Sequence, residues 1–530
     1  MKKGTLFFAL FALLFTGNLF SNNIQITNAV LTGQVPASNY TLVQFDLSWE
    51  NSWRDAVNWD AAWIFIKFKA SYDSVWKHAT LSTTGHTIPT GYTGSTTTDG
   101  IGVFIYRNAN GSGNNTLTGV RLRWNYGVDG VNDGDLVSVK VFGIEMVYVP
   151  QGNFYAGDGT ISNVTGQFSQ GNTTSPFLIT GEGALTLGGT PTSNLGNRNA
   201  TGMIPTTDDF NNSTTQTLPA VFPKGYNDFY CMKYEISQGH YTDFLNTLSR
   251  WQQGSRVASD ISGDAVTNRL VMSNTPGYMY RNRIICPSSG NGTTQPIVFS
   301  CDRPDRACNY LSWQDGCAYM DWAGLRPMTE LEFEKICRGP LTPVSDEFAW
   351  GNTVYVAATT ISGTENGTEY IINANVNVTY ITFSGGDASQ GPLRCGIFAR
   401  VSTSRIQSGA SYYGVMEMSG NLNERSIAIG NSTGRQFDGL HGDGELSVNG
   451  NGNVANWPGL SGGEITTSTG SNERGGEFSS AVLRIRTSDR YHGTYVNNTR
   501  SMVNGFRGVR SSEVGTLNSP NRNNQNKNNF

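Results

Sequence analysis

The sequence predicts an α+β protein: an N-terminal all-β sandwich followed by a mixed domain with low regular secondary structure. Composition is the first reason. Charged residues are 15% of the 530 and glycine alone fills 63 positions. That balance suits loop-rich β structure better than a helical enzyme, where charged residues approach about a quarter. Second, residues 22–145 break into short β-branched and aromatic runs divided by turn clusters. Third, Arg306–Gly339 spells out the start and stop signals of two helices on a strand-and-loop background. The chain is too long for one ordinary domain, so two or three compact units are expected.

Residues 1–21 read as an export signal. Lys2 and Lys3 precede an apolar run, Thr5–Thr16, that is too short to span a bilayer, and the small Ser21 suits cleavage. No cysteine follows that run, which disfavours a lipid anchor, and no later stretch is long and apolar enough for a transmembrane helix. The expected location is secreted, periplasmic or at the cell surface. Strands are predicted at 24–34, 40–49, 61–70, 100–108, 119–127 and 136–146, with turns such as 129–135 between them. In 61–70 neither Trp63, Phe65 and Lys67 nor Ile64, Ile66 and Phe68 make a strongly polar face, as in a strand covered on both sides. An immunoglobulin-like or jelly-roll sandwich over 22–145 is the natural expectation. Five of the eleven tryptophans lie between Trp49 and Trp76. They suit a sandwich core more readily than a sugar-stacking platform, because such side chains are mostly buried.

The second unit is expected over 146–512. Within it, 157–222 reads as a loop-rich insertion of Gly, Thr, Ser and Asn, ordered only in part. Ser237 caps a helix that carries Tyr241, Phe244, Leu245 and Leu248 on one face. Ser312 and Asp315 make a capping box, in which hydroxyl and carboxylate satisfy orphan N–H groups reciprocally. Trp313, Cys317 and Met320 then recur at helical period, and Gly324 suits the left-handed stop. Thr329 and Glu332 repeat the box, Phe333 and Cys337 share a face, and Gly339 is the second stop. Residues 513–530 are an Asn-rich tail expected to be disordered.

Residues 309–339, NYLSWQDGCAYMDWAGLRPMTELEFEKICRG, resemble the central signature of the formylglycine-generating enzyme, or sulfatase-modifying factor, family. Further matches follow in the family's order: EMVYVPQGNF from Glu145, KYEISQGHYTDFLN from Lys233, Phe348–Asn352, Ser411–Ser426, Arg474–Ser480 and Gly505–Ser512. The resemblance implies a compact mixed fold related to C-type lectins. It also implies an oxidoreductase ancestry, since formylglycine-generating enzymes oxidise a substrate cysteine with copper(I) held by two thiolates, which a soft ion prefers. The family's cysteines lie just beyond the Arg-Gly-Gly motif. Here Gly476–Arg490 contains no cysteine, and none follows Cys395. No copper is expected, and formylglycine formation is disfavoured. The His-x-x-x-His-x-Glu motif of iron-using relatives is absent as well.

Calcium is the cofactor that the resemblance favours, as a structural ion held by hard oxygen ligands. Asn421 and Glu424 match one family turn, and Asn375 and Asp387 match a second. Arg486, Asp489, Arg490 and Arg507 fall in the region that lines the family's substrate groove. A local cluster, Asp438, His441, Asp443 and Glu445, is the alternative metal site. A net charge of −4 with no long basic run gives no reason to expect nucleic acid. Export permits disulfides. All seven cysteines lie at 231 or beyond, and Cys286 and Cys301, which bracket a Ser/Gly/Asn loop, are the first guess for a bridge. The expected function is that of an exported protein, non-catalytic for formylglycine formation, acting as a ligand-binding or structural module at the cell envelope or outside the cell, with an extracellular protein or glycan as its ligand. The alternative is a metal-dependent oxidoreductase acting on a protein or peptide side chain.

Overall fold

The computed structural model describes residues 23–159, 164–263, 265–288, 294–400 and 403–512. The predicted signal segment and Asn-rich tail lie outside these residues. The architecture is mostly sheet with few helices, an α+β arrangement.

Eight strands make up the N-terminal part: β1 (Gln25–Val35), β2 (Tyr40–Arg54), β3 (Asp60–Ala70), β4 (Lys77–His78), β5 (Tyr92–Thr96), β6 (Val103–Arg107), β7 (Gly111–Trp124) and β8 (Val137–Val149). β1, β2 and β7 form one antiparallel sheet. It covers β3 and β6 across a core of Val43, Phe45, Leu47 and Trp49 against Ala62, Ile64, Ile66 and Phe68. The opposite face of β3 is equally buried. Ala61, Trp63 and Phe65 join the core of the following domain, and Trp63 Nε1 donates to the Ala323 carbonyl at 2.8 Å. This explains the two apolar faces in the sequence: β3 is covered by a sheet on one side and by helices on the other. Trp49, Trp63 and Trp124 are fully buried, while Trp59 stacks on Tyr148 at 3.9 Å between centroids.

The next strands are β9 (Phe154–Ala156), β10 (Phe168–Gln170), β11 (Phe177–Ile179), β12 (Leu185–Leu187), β13 (Leu195–Asn197), β14 (Gln216–Leu218) and β15 (Phe229–Met232). Residues 157–222, expected as a loop-rich insertion, carry secondary structure where they are described. Its described residues carry a four-stranded sheet in the order β10-β13-β12-β14, and β11 pairs with β9. Phe168, Phe177, Leu187, Leu195, Phe210 and Leu218 are widely spaced in a polar sequence, yet all reach the main core. Apolar side chains separated by tight turns left no periodic signal.

β15 pairs with β8 on one side and with the strand Gly508–Ser511 on the other. One large sheet therefore runs Arg326–Pro327, Gly508–Ser511, β15, β8, β3, β6, β5. The position expected to separate two domains, 145/146, falls inside β8, which hydrogen-bonds to both parts.

Among the described residues the α-helices are α1 (Gln238–Leu245), α2 (Arg250–Arg256), α3 (Trp313–Trp322), α4 (Glu330–Arg338) and α5 (Arg405–Ser408), each opened by a Ser or Thr cap. Ser237 caps α1, and both predicted capping boxes form, at Ser312/Asp315 and Thr329/Glu332. Gly324 and Gly339 adopt φ of +68° and +63°, where a side chain would be strained. A Cβ on Gly316 would lie 1.8 Å from the Phe506 ring, so α3 packs there only because the position is bare.

Candidate functional site

Family-signature helix α4 is wholly buried and presents carboxylates inward. Glu330 accepts from Arg490 at 2.6 and 3.1 Å and from Arg474 at 3.2 Å. Glu334 accepts from Arg474 at 2.8 Å and Arg338 at 3.0 Å. Arg490 is completed by Asp208 at 2.7 and 2.9 Å and lies 4.2 Å over the Phe168 ring. The groove residues expected from sequence therefore sit elsewhere. Arg490 and Arg507 are 0% exposed and Asp489 is 4% exposed, whereas Arg486 is held by Asp346. Buried charges persist only when partnered; Asp489, Arg490 and Arg507 serve as internal anchors of the C-terminal segment, and Arg486 pairs with Asp346 at a half-buried position.

Arg507 organises a second buried cluster. It donates to Glu424 Oε1 at 2.8 Å and to the carbonyls of Met232, Lys233 and Met416. Around it lie Glu235, Glu417 and Glu424, all interior. Burial, then the charges of Glu424 and Glu417, holds the Glu235 carboxyl well above the usual range. Burial lifts Glu417 to about 7, and burial also raises Glu424. Three carboxyls against one guanidinium leave an excess of negative potential, and Oε2 of Glu417 and of Glu424 meets no hydrogen-bond partner. Carboxylate oxygen is the donor a hard divalent cation takes, but these two atoms do not make a ligand set among the described residues. The Asn421 side chain does not contribute an oxygen: its Oδ1 accepts from Leu393 N–H at 2.9 Å and its amide donates to Glu235.

The second expected calcium pair does not fit. Asp387 is engaged by Arg303 at 3.0 Å and Arg306 at 2.8 Å, with Arg281 and Glu365 adjoining. Guanidinium groups already occupy its oxygens. Asn375 is exposed and its Oδ1 accepts from Gln407. The alternative cluster is dispersed. His441 Nε2 accepts from Ser511 N–H, Asp438 takes Asn456, and Asp443 Oδ1 accepts from Glu445 N–H. Among the described residues no three His, Cys, Asp or Glu side chains come together as metal ligands.

At the segment that carries the family's thiols, Glu477 Oε1 accepts from Ser479 Oγ at 3.1 Å and Ser480 Oγ at 2.8 Å. The loop is closed by its own carboxylate. None of the seven cysteines is in a disulfide, and the expected Cys286–Cys301 bridge is not formed. Cys301 instead faces Ile284 across a two-residue ladder, with its thiol 3.7 Å from Gln238. Desolvation pushes every thiol up, Cys286 to about 11 and Cys301 and Cys337 to about 12; Cys231, Cys308, Cys317 and Cys395 are raised further. The thiolate is the nucleophile and metal ligand, and these environments all disfavour it. We expect a chromogenic disulfide reagent at pH 8 to titrate Cys301 slowly in the native chain and all seven thiols after denaturation. Fast reaction of a core thiol such as Cys395 would contradict these environments.

A polar cleft of about 540 Å³ opens where α2, the start of α3 and the 497–500 segment meet. Its lining includes Arg256, Gln314, Asn451, Thr466, Asn498 and Arg500. Asp315 joins the two arginines, accepting from Arg500 at 2.7 and 2.8 Å and pairing with Arg256 at 3.2 Å. Asp315 lies between the two guanidiniums, and Arg256 Nε has no hydrogen-bond partner. The exposed Trp251, at the start of α2, is fixed by a 3.0 Å bond to Asn449. Glu464 then links Asn449 to Asn451 inside the cleft. Sequence reasoning missed this site. The Ser249/Gln252 capping box that starts α2 was a readable signal, but the meeting of Arg256 and Arg500, 244 positions apart, was not.

A loop-rich mixed domain, built on two capped helices and buried arginine–carboxylate hubs and carrying an altered thiol segment, defines a class of sulfatase-modifying-factor-like proteins. Residues 196–512 match the family model described as sulfatase-modifying factor enzyme 1-like domain, and the chain belongs to that family. It is similar to the formylglycine-generating enzyme of Bos taurus, at 28% identity over 127 residues, covering 23% of this chain and 33% of that protein. The Mus musculus enzyme is 26% identical over 130 residues, 23% of this chain and 34% of that one. The Thermomonospora curvata enzyme is 43% identical over 51 residues, 10% and 16% respectively. The chain thus spans about a third of the length of the mammalian relatives it matches.

Proposed function

We propose that this chain is an exported family member that acts as a ligand-binding or structural module at the cell envelope or outside the cell. In this reading 1–21 direct export, 22–145 form a β-sandwich fused through β8 to the family domain, and the polar cleft holds the ligand. The single observation that carries the proposal is the pairing of two features. The segment that holds the family's thiols carries Ser479 and Ser480 closed on Glu477, while a separate polar cleft stands open. Hydroxyls and amides around paired arginines and carboxylates suit an extracellular protein segment or glycan. Long loops on a rigid scaffold are where such folds carry binding. A structural calcium beside Glu417 and Glu424 belongs to the same proposal.

The test is a glycan and peptide array probed with the full chain, repeated with Thr466→Trp, which fills the cleft. Binding retained by the wild type and lost by a folded Thr466→Trp is expected. The family's general kind supports the alternative, a metal-dependent oxidoreductase acting on a protein side chain. Stoichiometric copper or iron in the purified protein, with turnover of a cysteine-containing peptide, would establish the alternative and overturn the binding reading. No helix among the described residues is long and apolar enough to cross a membrane.

A further inference from the structure

Where β3, β8 and β15 run side by side, three charged residues meet beneath the surface. Lys233, immediately after β15, stands beside Glu145 on β8, with its backbone N–H donating to the Glu145 carbonyl at 2.9 Å. Asp60 opens β3, two positions along the same face. Lys233 is 3% exposed, Asp60 1% and Glu145 2%. Lys233 Nζ is 3.2 Å from Asp60 Oδ2 and 3.0 Å from Glu145 Oε2. Aromatic rings wall the group: Nζ lies 5.1 Å from the Trp53 centroid and 5.4 Å from that of Tyr234.

The two Asp60 oxygens are treated differently. Oδ1 accepts from Ser52 Oγ at 2.6 Å and from Trp53 N–H at 3.2 Å. Oδ2 faces Lys233, with Trp49 Nε1 at 3.3 Å. Two donors on one carboxyl oxygen and a lysine nitrogen 3.2 Å from the other are parts that an acyl-transfer site uses: a donor pair for a developing oxyanion and a nitrogen beside the carboxyl group. Burial and the neighbouring Asp60 charge favour the neutral form of Glu145, opposed by Lys233, and this supplies an acid within reach.

We propose that Lys233 and Asp60 condense spontaneously into an amide, a covalent cross-link between the N-terminal sheet and the family domain. The Lys233 ammonium gives one proton to the Asp60 carboxylate, leaving a neutral amine and a neutral acid. Nζ then attacks Asp60 Cγ, and Ser52 Oγ–H and Trp53 N–H hold the negative charge that develops on Oδ1. Glu145 relays the second amine proton to Oδ2, which departs as water. A C–N bond forms, a C–O bond breaks, and no oxidant or cofactor enters the balance. A low-dielectric pocket favours this outcome, because it replaces a buried ion pair, costly to desolvate, by a neutral amide.

The deciding measurement is the intact mass of the purified full chain under denaturing conditions, with its N-terminus sequenced. The expected mass is lighter than the sequence mass by one water, and a protease digest yields the strand around Asp60 joined to the segment around Lys233. A full sequence mass overturns the proposal, as does a linkage to Glu145 instead of Asp60. Glu145→Gln tests the relay and retains the packing: it should accumulate at full mass while folded. Water loss in Glu145→Gln at the wild-type rate would remove Glu145 from the mechanism as drawn.

Discussion

Replacing Glu417 by glutamine is expected to stabilise the folded chain by about 3 kcal/mol at pH 8, and to change little at pH 4.5, in the presence of a chelator. The folded carboxyl titrates at about 7 because it is buried, against 4.5 when solvated. The folded state therefore binds the proton more tightly than the unfolded one. Glu417 contributes no penalty below pH 4.5, and stability falls as pH rises from 4.5 through 7, where the folded group must ionise without solvent. Asp305, raised by burial to about 6, adds a smaller slope of the same sign. Glutamine keeps the oxygen that accepts from Gly396 N–H at 2.7 Å and removes the charge. Urea unfolding at a series of pH values reads the difference, and equal midpoints for the two proteins at pH 8 would refute it. Calcium should raise the wild-type midpoint at pH 8 and leave Glu417→Gln nearly unmoved, because a bound dication turns the ionised carboxyl into an asset. A wild-type midpoint indifferent to calcium would remove that ion from the cluster.

The second large effect is expected at Arg490. Methionine at this position fills similar space over Phe168 but leaves Asp208 and part of Glu330 buried without a cation. Breaking one side of a buried pair costs about 3–5 kcal/mol, enough to remove much of the stability of an ordinary domain. Arg490→Met should therefore unfold at markedly lower urea or accumulate as insoluble chain. Asp208→Asn in the same molecule should return part of the loss, since the two residues share one interaction and their effects do not add. A soluble Arg490→Met with a wild-type midpoint would show that the hub is dispensable.

What could be read from the sequence was local. Ser312 with Asp315 and Thr329 with Glu332 act within one helical turn, so both boxes and the stops at Gly324 and Gly339 were legible. So were the N-terminal strands, whose β-branched runs report directly on burial. Charge was not legible in the same way. Glu330 and Glu334 are inner acceptors of Arg474 and Arg490, 140 or more positions away. Arg486, Asp489, Arg490 and Arg507 were placed in a groove by family resemblance, whereas each is held by an ion pair that local sequence does not show. The strands of 168–218 escaped because three-residue strands show no period, and the cleft because its walls come from four distant segments.

The place of Gly508–Ser511 in the large sheet has a consequence for the order in which the molecule assembles. This strand lies inside the sheet, between β15 and Arg326–Pro327, and Arg510 reaches back to Asp99 at 2.5 Å. A chain emerging from its N-terminus can build β1 to β8 early, but β15 must wait with one edge open until the last described residues arrive. Such an edge pairs readily with other chains, and contacts closed across four hundred residues form slowly. The open edge of β15 is therefore where an unfinished chain is expected to pair with other chains before Gly508–Ser511 covers it.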